Sequence, residues 1–208
     1  LNALSANKVP QDIPGVCYRC GSRIVTMPPH TEKADPPNPY TEAYFKTLKG
    51  RIAYLETSRG CPYSCAFCLS GGDAVRWFDL ERARKDLIAL ANSGTKTVKL
   101  VDRTFNANRA RAYELVQFVI RNYGRSIPEG IRFHFEIAGD ILDDDMIELL
   151  STAPPGAIQV EIGLQSFNPE TLRAVYRKTD VERLKTNIQK LTRSRNIHVH
   201  IDLIAGLP

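Results

Sequence analysis

The chain has 208 residues, 43% of them hydrophobic, enough for one buried core with an appended segment and too little for several independent domains. Its 28 Lys and Arg against 23 Asp and Glu leave a net charge of +5 that fits an anionic substrate or nucleic acid, but without a dense basic block or an aromatic-basic interleave it reads as a solvated surface, and we expect a small-molecule substrate rather than nucleic acid. No apolar run approaches membrane-spanning length, the opening LNALSANKVPQDIPG lacks a signal-peptide pattern, and five cysteines with three clustered do not make a disulfide framework, so we expect a cytoplasmic protein with no membrane contact.

Residues 1–50 hold seven of the thirteen prolines, including Pro28-Pro29 and Pro36-Pro37, and few periodic apolar positions. They read as a Pro-rich connector ahead of a core spanning 51–208. Within it, Ile13 to Val25 predicts a short hairpin turning at Gly21-Ser22. Cys17 and Cys20 form a Cys-x2-Cys pair, but no second pair or histidine couple follows at knuckle spacing, and we read them as ordinary thiols.

From Arg51 onward strands alternate with helices, the rhythm of a parallel sheet with crossover helices. Ile52 to Thr57 is the first predicted strand, and it feeds the stretch SRGCPYSCAFCLSGG, which holds Cys61, Cys65 and Cys68. Three thiolates at Cys-x3-Cys-x2-Cys spacing can share a metal or a cluster. Structural zinc takes four ligands and electron-carrier cubanes take four cysteines, so three leave one position for a substrate or cofactor. A zinc site completed by a histidine, or unrelated thiols, are the alternatives. Asp79 caps a helix carrying Leu80, Ala83, Leu87, Leu90 and Ala91 until Gly94, and Thr97 to Val101 is the second strand. A helix near Asn108 to Tyr123, a strand from Ile131 to Ile137 and a short helix from the acidic run Asp143-Asp144-Asp145 follow. Ile158 to Leu164 is the fourth strand. Asn168-Pro169-Glu170 starts one helix, Asp180 opens another, and Ile197 to Leu203 is the fifth strand.

Strands three to five alternate. Arg132, His134 and Glu136 oppose Phe133, Phe135 and Ile137; Gln159, Glu161, Gly163 and Gln165 oppose Ile158, Val160, Ile162 and Leu164; His198, His200 and Asp202 oppose Val199, Ile201 and Leu203. At a period of two, helices cover the apolar set and the polar set lines an interior, which predicts barrel closure over a simple sheet. The active site of such a barrel lies at the C-terminal strand ends, where Glu56, Thr57, Asp102, Glu136, Gln165, Ser166 and Asp202 fall. His134, His198 and His200 lack metal-ligand company at chelating spacing, and we read them as lumen lining or structural.

CPYSCAFC resembles the cluster loop of the radical S-adenosylmethionine (SAM) superfamily, with Phe67 at its aromatic place. The resemblance implies that Cys61, Cys65 and Cys68 hold a [4Fe-4S] cluster whose fourth iron takes SAM, and that a reductant such as flavodoxin or ferredoxin supplies electrons. It also implies a partial (βα)6-type, TIM-like α/β barrel, with five βα strands present, the sixth missing and the fifth at an open edge. IPGV-YR-G is similar to the connector that follows a cobalamin-binding domain in one branch of that superfamily, which implies such a domain upstream and possible use of cobalamin. EIGLQSFNPETLRAVYRKTD and DLIAGLP resemble oxygen-independent coproporphyrinogen oxidase. Carried over by position, Glu136, Gln165, Arg177 and Asp202 are then SAM contacts, with Arg177 partner to the methionine carboxylate. VDRTFN stands where many members carry Gly-Gly-Glu, so Asp102 is the substitute contact for the amino group. DRTFN itself resembles the cobalamin-associated loop, which implies that Arg103 and Asn106 face substrate. The implied activity is SAM cleavage to a 5′-deoxyadenosyl radical that abstracts hydrogen from an unidentified substrate. The rivals are a tRNA-modifying methylthiotransferase-like enzyme and a non-enzymatic iron–sulfur or zinc module.

Overall fold

The computed structural model of the chain describes residues 5–6, 13–29, 35–72 and 74–208. It divides into two compact units, 1–37 and 38–208.

In the first unit, β1 (Cys17–Cys20) and β2 (Arg23–Thr26) form the expected antiparallel hairpin, with Cys17 opposite Thr26 and Cys20 opposite Arg23 across the Gly21-Ser22 turn. Residues three apart on a strand point to opposite faces, so Cys17 and Cys20 do not converge on one ion. Both are exposed free thiols.

The second unit begins earlier than residue 50. Thr41 caps α1 (Glu42–Lys46), Leu48 is buried, and Tyr40, Tyr44 and Phe45 pack against the core. Asn38 donates to the Asp86 carboxylate at 2.8 Å, tying this lead-in to the first crossover helix. These apolar residues are too few and too close to make a periodic signal.

Five parallel strands follow in the order β3-β6-β7-β8-β9: β3 (Ile52–Leu55), β6 (Thr97–Leu100), β7 (Arg132–Ile137), β8 (Ile158–Gln165) and β9 (His198–Leu203). Two short strands, β4 (Ser58–Arg59) and β5 (Arg76–Trp77), pair separately. The crossover helices are α2 (Leu80–Ala91), α3 (Arg109–Asn122), α4 (Asp144–Ser151), α5 (Pro169–Ala174) and α6 (Val181–Arg193). Each starts on the cap its sequence offers: the side chains of Asp79, Asn108, Asp143, Asn168 and Asp180 accept from backbone N–H groups of the first turn. No helix among the described residues is long and apolar enough to cross a membrane.

The alternation places the core as expected on the inner strands. Val98 and Leu100, Phe133 and Phe135, and Ile158, Val160, Ile162 and Leu164 are all at most 2% exposed, against α2, α3, α4 and α6. The closure expected from the alternation does not occur among the described residues, because β3 and β9 do not pair and the five-stranded sheet stays open, as the partial barrel implied by the resemblance requires. β3 and β9 are its two edges, and β9 has one neighbour, so Ile201 and Leu203 remain 44% and 62% exposed where the pattern had assigned them to a covered face.

One boundary differs at the site. The first strand stops at Leu55, two residues before the predicted end, because the Asp102 carboxylate takes the Thr57 and Ser58 N–H groups at 2.7 and 2.9 Å. Those groups then leave the ladder, and the chain turns into β4 and the cysteine loop.

Candidate active site

The cysteine loop is closed at its base by the β4–β5 pairing, which sets Ser58 opposite Trp77 and Arg59 opposite Arg76. Inside it, Gly72 N–H donates to Tyr63 C=O at 3.0 Å and Cys68 N–H to Cys65 C=O at 3.0 Å. A Cβ on Gly71 would stand 2.8 Å from Tyr63 O, so only glycine allows this close turn. The loop is tied to the far side of the sheet by Ala66 N–H donating to Val175 C=O at 2.9 Å. Cys61 and Cys65 are 8% and 7% exposed, Cys68 is exposed, and all three are free thiols lining one cavity. Cys61 Sγ lies 3.5 Å from Thr104 Oγ1, and Ser70 N–H donates to Cys68 Sγ at 3.4 Å.

Opposite the loop, the end of β8 is built to deliver Gln165 and Arg177. Gln165 has φ +69, a left-handed conformation costly for a residue with a Cβ, and a register shift against β9 falls between Gly163 and Gln165. Its side chain folds back over Gly163, where an added Cβ would come 2.3 Å from Gln165 Nε2. Tyr176, at φ +54, ends α5 and turns Arg177 inward. The guanidinium donates from Nη2 to Gly163 C=O at 2.6 Å, from Nε to Thr179 Oγ1 at 3.1 Å and from Nη1 to Cys65 Sγ at 3.8 Å, and it lies over the Tyr63 ring at 5.6 Å. A guanidinium has five N–H donors, so one remains on each Nη, the pair that a carboxylate grips bidentately.

The floor carries ionisable groups. Lys99 on β6 bridges Glu136 and Glu161, with Nζ to Oε1 of the former at 3.2 Å and Oε2 of the latter at 3.3 Å, and His134 Nε2 lies 2.9 Å from that same Glu161 oxygen. Burial works against the Lys99 charge, but the hydrogen bond and charge of Glu136, joined by Glu161, outweigh it and raise its pKa. Burial likewise opposes the Glu161 charge, yet Lys99 and His134 hold its carboxyl below the ordinary value. His134 is lowered by burial and then by Lys99, against the pull of Glu161 and Glu136. Asp202 is raised, first by burial and then by the neighbouring Glu161 carboxylate.

Of the residues singled out from sequence, Cys61, Cys65, Cys68, Phe67, Glu136, Gln165, Arg177 and Asp202 line this one cavity. Asp102 does not. It is 1% exposed, and its carboxylate accepts from Thr57 N–H, Thr57 Oγ1 and Ser58 N–H at 2.7, 2.5 and 2.9 Å. It clamps the end of β3, and burial raises its pKa against those hydrogen bonds. Asn106 also turns away from the role expected of it, its amide exchanging two 2.8 Å hydrogen bonds with the Ala138 backbone, whereas Arg103 lines the cavity. Glu56 pairs with Arg59 outside the cavity. The sequence reading missed Tyr63 and Thr104 as lining residues, whereas Glu161 lines the cavity as its place on the polar face of β8 predicted.

Three cysteines facing the forked donor of Arg177 form a set that comparison with known proteins explains. The profile of the Radical SAM superfamily matches residues 55–208. The chain belongs to that superfamily. The radical SAM family uses a [4Fe-4S] cluster and SAM, and the three thiols on one cavity wall fit a cluster held by three cysteines. The chain is 27% identical to the 2-(S-pantetheinyl)-carbapenam-3-carboxylate methyltransferase of Streptantibioticus cattleyicolor over 94% of its own length and 31% of that enzyme's. It is 29% identical to the ribosomal protein uS12 methylthiotransferase RimO of Myxococcus xanthus over 75% of its length and 34% of that protein's. It thus spans about a third of the length of these curated relatives. Among solved structures, the methyltransferase TsrM of Kitasatospora setae with cobalamin and a [4Fe-4S] cluster bound shares the fold at a TM-score of 0.75 and 20% identity, covering 100% of this chain and 43% of that one. Coproporphyrinogen III oxidase of Escherichia coli shares it at a TM-score of 0.56 and 18% identity, over 81% of this chain and 41% of that one.

Proposed function

We propose that this chain is the catalytic core of a radical SAM enzyme of the cobalamin-associated branch, acting on a small-molecule substrate. The observation that carries the reading is the convergence of Cys61, Cys65 and Cys68 with Glu136, Gln165, Arg177 and Asp202 on one cavity. The three cysteines hold the [4Fe-4S] cluster, and Phe67 shields the cluster loop. When bound, the cluster supplies the electron that splits SAM into methionine and the 5′-deoxyadenosyl radical. The chain's own contribution is placement. Arg177, fixed by Gly163, Thr179 and Cys65, presents its two remaining N–H groups to the methionine carboxylate; Glu136, Gln165 and Asp202 take the amino and ribose donors; Arg103 and Glu161 face the substrate.

The connector that follows a cobalamin-binding domain is then residues 1–37, with the core beginning at residue 38; a flavodoxin or ferredoxin supplies electrons, and the protein works in the cytoplasm. Similarity at 26% identity over 94% of the chain, connector included, to TokK of Streptomyces tokunonensis, a cobalamin-dependent radical SAM methyltransferase, supports the cobalamin branch, and cobalamin is its further cofactor. The likeness to RimO, over 75%, keeps a methylthiotransferase as the second reading. A non-enzymatic cluster module would not need a cavity of this polarity beside its cysteines.

The test is anaerobic reconstitution with iron and sulfide, reduction, and chromatography of the products of SAM. The expected result is 5′-deoxyadenosine in amounts that follow cluster content. A reduced, cluster-loaded chain that binds SAM and releases none would overturn the proposal.

A further inference from the structure

Glu136 and Glu161 stand directly opposite each other on adjacent parallel strands, their side chains only 24% and 30% exposed. Like charges directly opposite on a sheet repel, more so away from water. The arrangement therefore demands a cation, and the ligand atoms of His134, Glu136 and Glu161 all lie within 4.8 Å of one another, the span over which three protein ligands meet one divalent ion. The position is already filled: Lys99, opposite His134 on the neighbouring strand, puts Nζ within 3.3 Å of both carboxylates. His134, 7% exposed, closes the cluster from below, and Asp202 of β9 approaches Glu161 from the other side. Lys99 does not line the cavity, although both of its partners do.

We infer that Lys99 is a built-in cation occupying a latent divalent-metal site of His134, Glu136 and Glu161, and that it is thereby the positioning residue that holds the two carboxylates toward the ligand in the cavity. For the identity of that ligand, SAM, the inference rests on the function proposed above. An ammonium on a strand does what a metal would do, neutralising two facing acids and fixing their direction. Unlike a metal, it is not lost to chelators.

The test uses the cluster-loaded chain and two probes, Mn²⁺ followed by its solution resonance signal, and SAM followed by equilibrium dialysis without reductant. Manganese is chosen because it prefers carboxylate and imidazole over thiolate. Lys99→Met keeps the length of the side chain and removes the charge. It should take up about one Mn²⁺ per chain that the natural protein does not bind, and a second change, Glu161→Gln, should abolish that uptake. With no metal added, Lys99→Met should bind SAM about tenfold more weakly at unchanged iron content, the loss expected when charged hydrogen-bond acceptors lose their donor. Lys185→Met, which removes a surface lysine paired with Glu182, should do neither. A purely structural lysine would not create a metal site. Absence of manganese uptake by Lys99→Met overturns the latent site, as does equal uptake by the natural protein, and unchanged SAM affinity overturns the positioning role. If Lys99→Met does not fold, Lys99→Gln is held to the same two results. A natural protein that binds no SAM at all would sink the proposed function, leaving the manganese result to decide the site by itself.

Discussion

In Cys68→Ala, iron retained after anaerobic reconstitution should fall from about four per chain to near background, and 5′-deoxyadenosine formation should be lost. The fold should not change. Cys68 is exposed, its sulfur accepts from Ser70 N–H at 3.4 Å, and the loop is held independently by Gly72 N–H to Tyr63 C=O and by Ala66 N–H to Val175 C=O. Thermal unfolding of the unloaded variant should therefore coincide with that of the unloaded natural protein. This separates a ligand from a structural thiol, a distinction that Cys61 and Cys65 cannot provide because they are buried. Cys17→Ala, in the hairpin of the first unit, should retain iron and activity. Loss of iron there, or its full retention in Cys68→Ala, would refute the ligand assignment.

Arg177→Lys should weaken SAM binding by about tenfold or more, whereas Lys178→Ala should leave it nearly unchanged. Lysine supplies a point charge with three donors, where Arg177 spends three N–H groups on Gly163, Thr179 and Cys65 and still keeps one on each Nη. A lysine that satisfied the Gly163 carbonyl would have no fork left for a carboxylate. Because Arg177 also touches Cys65 Sγ, the visible spectrum of the cluster should shift in Arg177→Lys while iron content stays the same. Equal SAM affinities for Arg177→Lys and Lys178→Ala, by equilibrium dialysis, would remove Arg177 from the site.

Helix starts were legible because a cap is a local event: Asp79, Asn108, Asp143, Asn168 and Asp180 each bond within three residues of themselves. The polar lumen was legible for the same kind of reason, since the two-residue period of β8 decides by itself which side chains share a face. The succession of five parallel strands was legible in the alternation of strands and helices, but handedness alone pointed to closure, and the open edge at β9 was implied by the family resemblance. What escaped was partner choice over distance. A strand-end aspartate can hold a ligand or its own neighbour's backbone, and nothing local distinguishes them; Asp102 chose Thr57, 45 residues away. Asn106 chose the Ala138 backbone. Lys99 attracts no notice in TVKL, because its meaning comes from Glu136 and Glu161 on two later strands. The same holds for the early end of β3, which depends on where Asp102 arrives.

The most direct test of the central claim, that three cysteines leave one iron of a cluster open to a ligand steered by Arg177, is Mössbauer spectroscopy of the anaerobically reconstituted chain before and after adding SAM. About one iron in four should change its parameters on SAM addition, and the change should be lost when Arg177→Lys is compared at the same SAM concentration. Stoichiometric zinc with no cluster signal, or a cluster whose irons all ignore saturating SAM, would contradict the account.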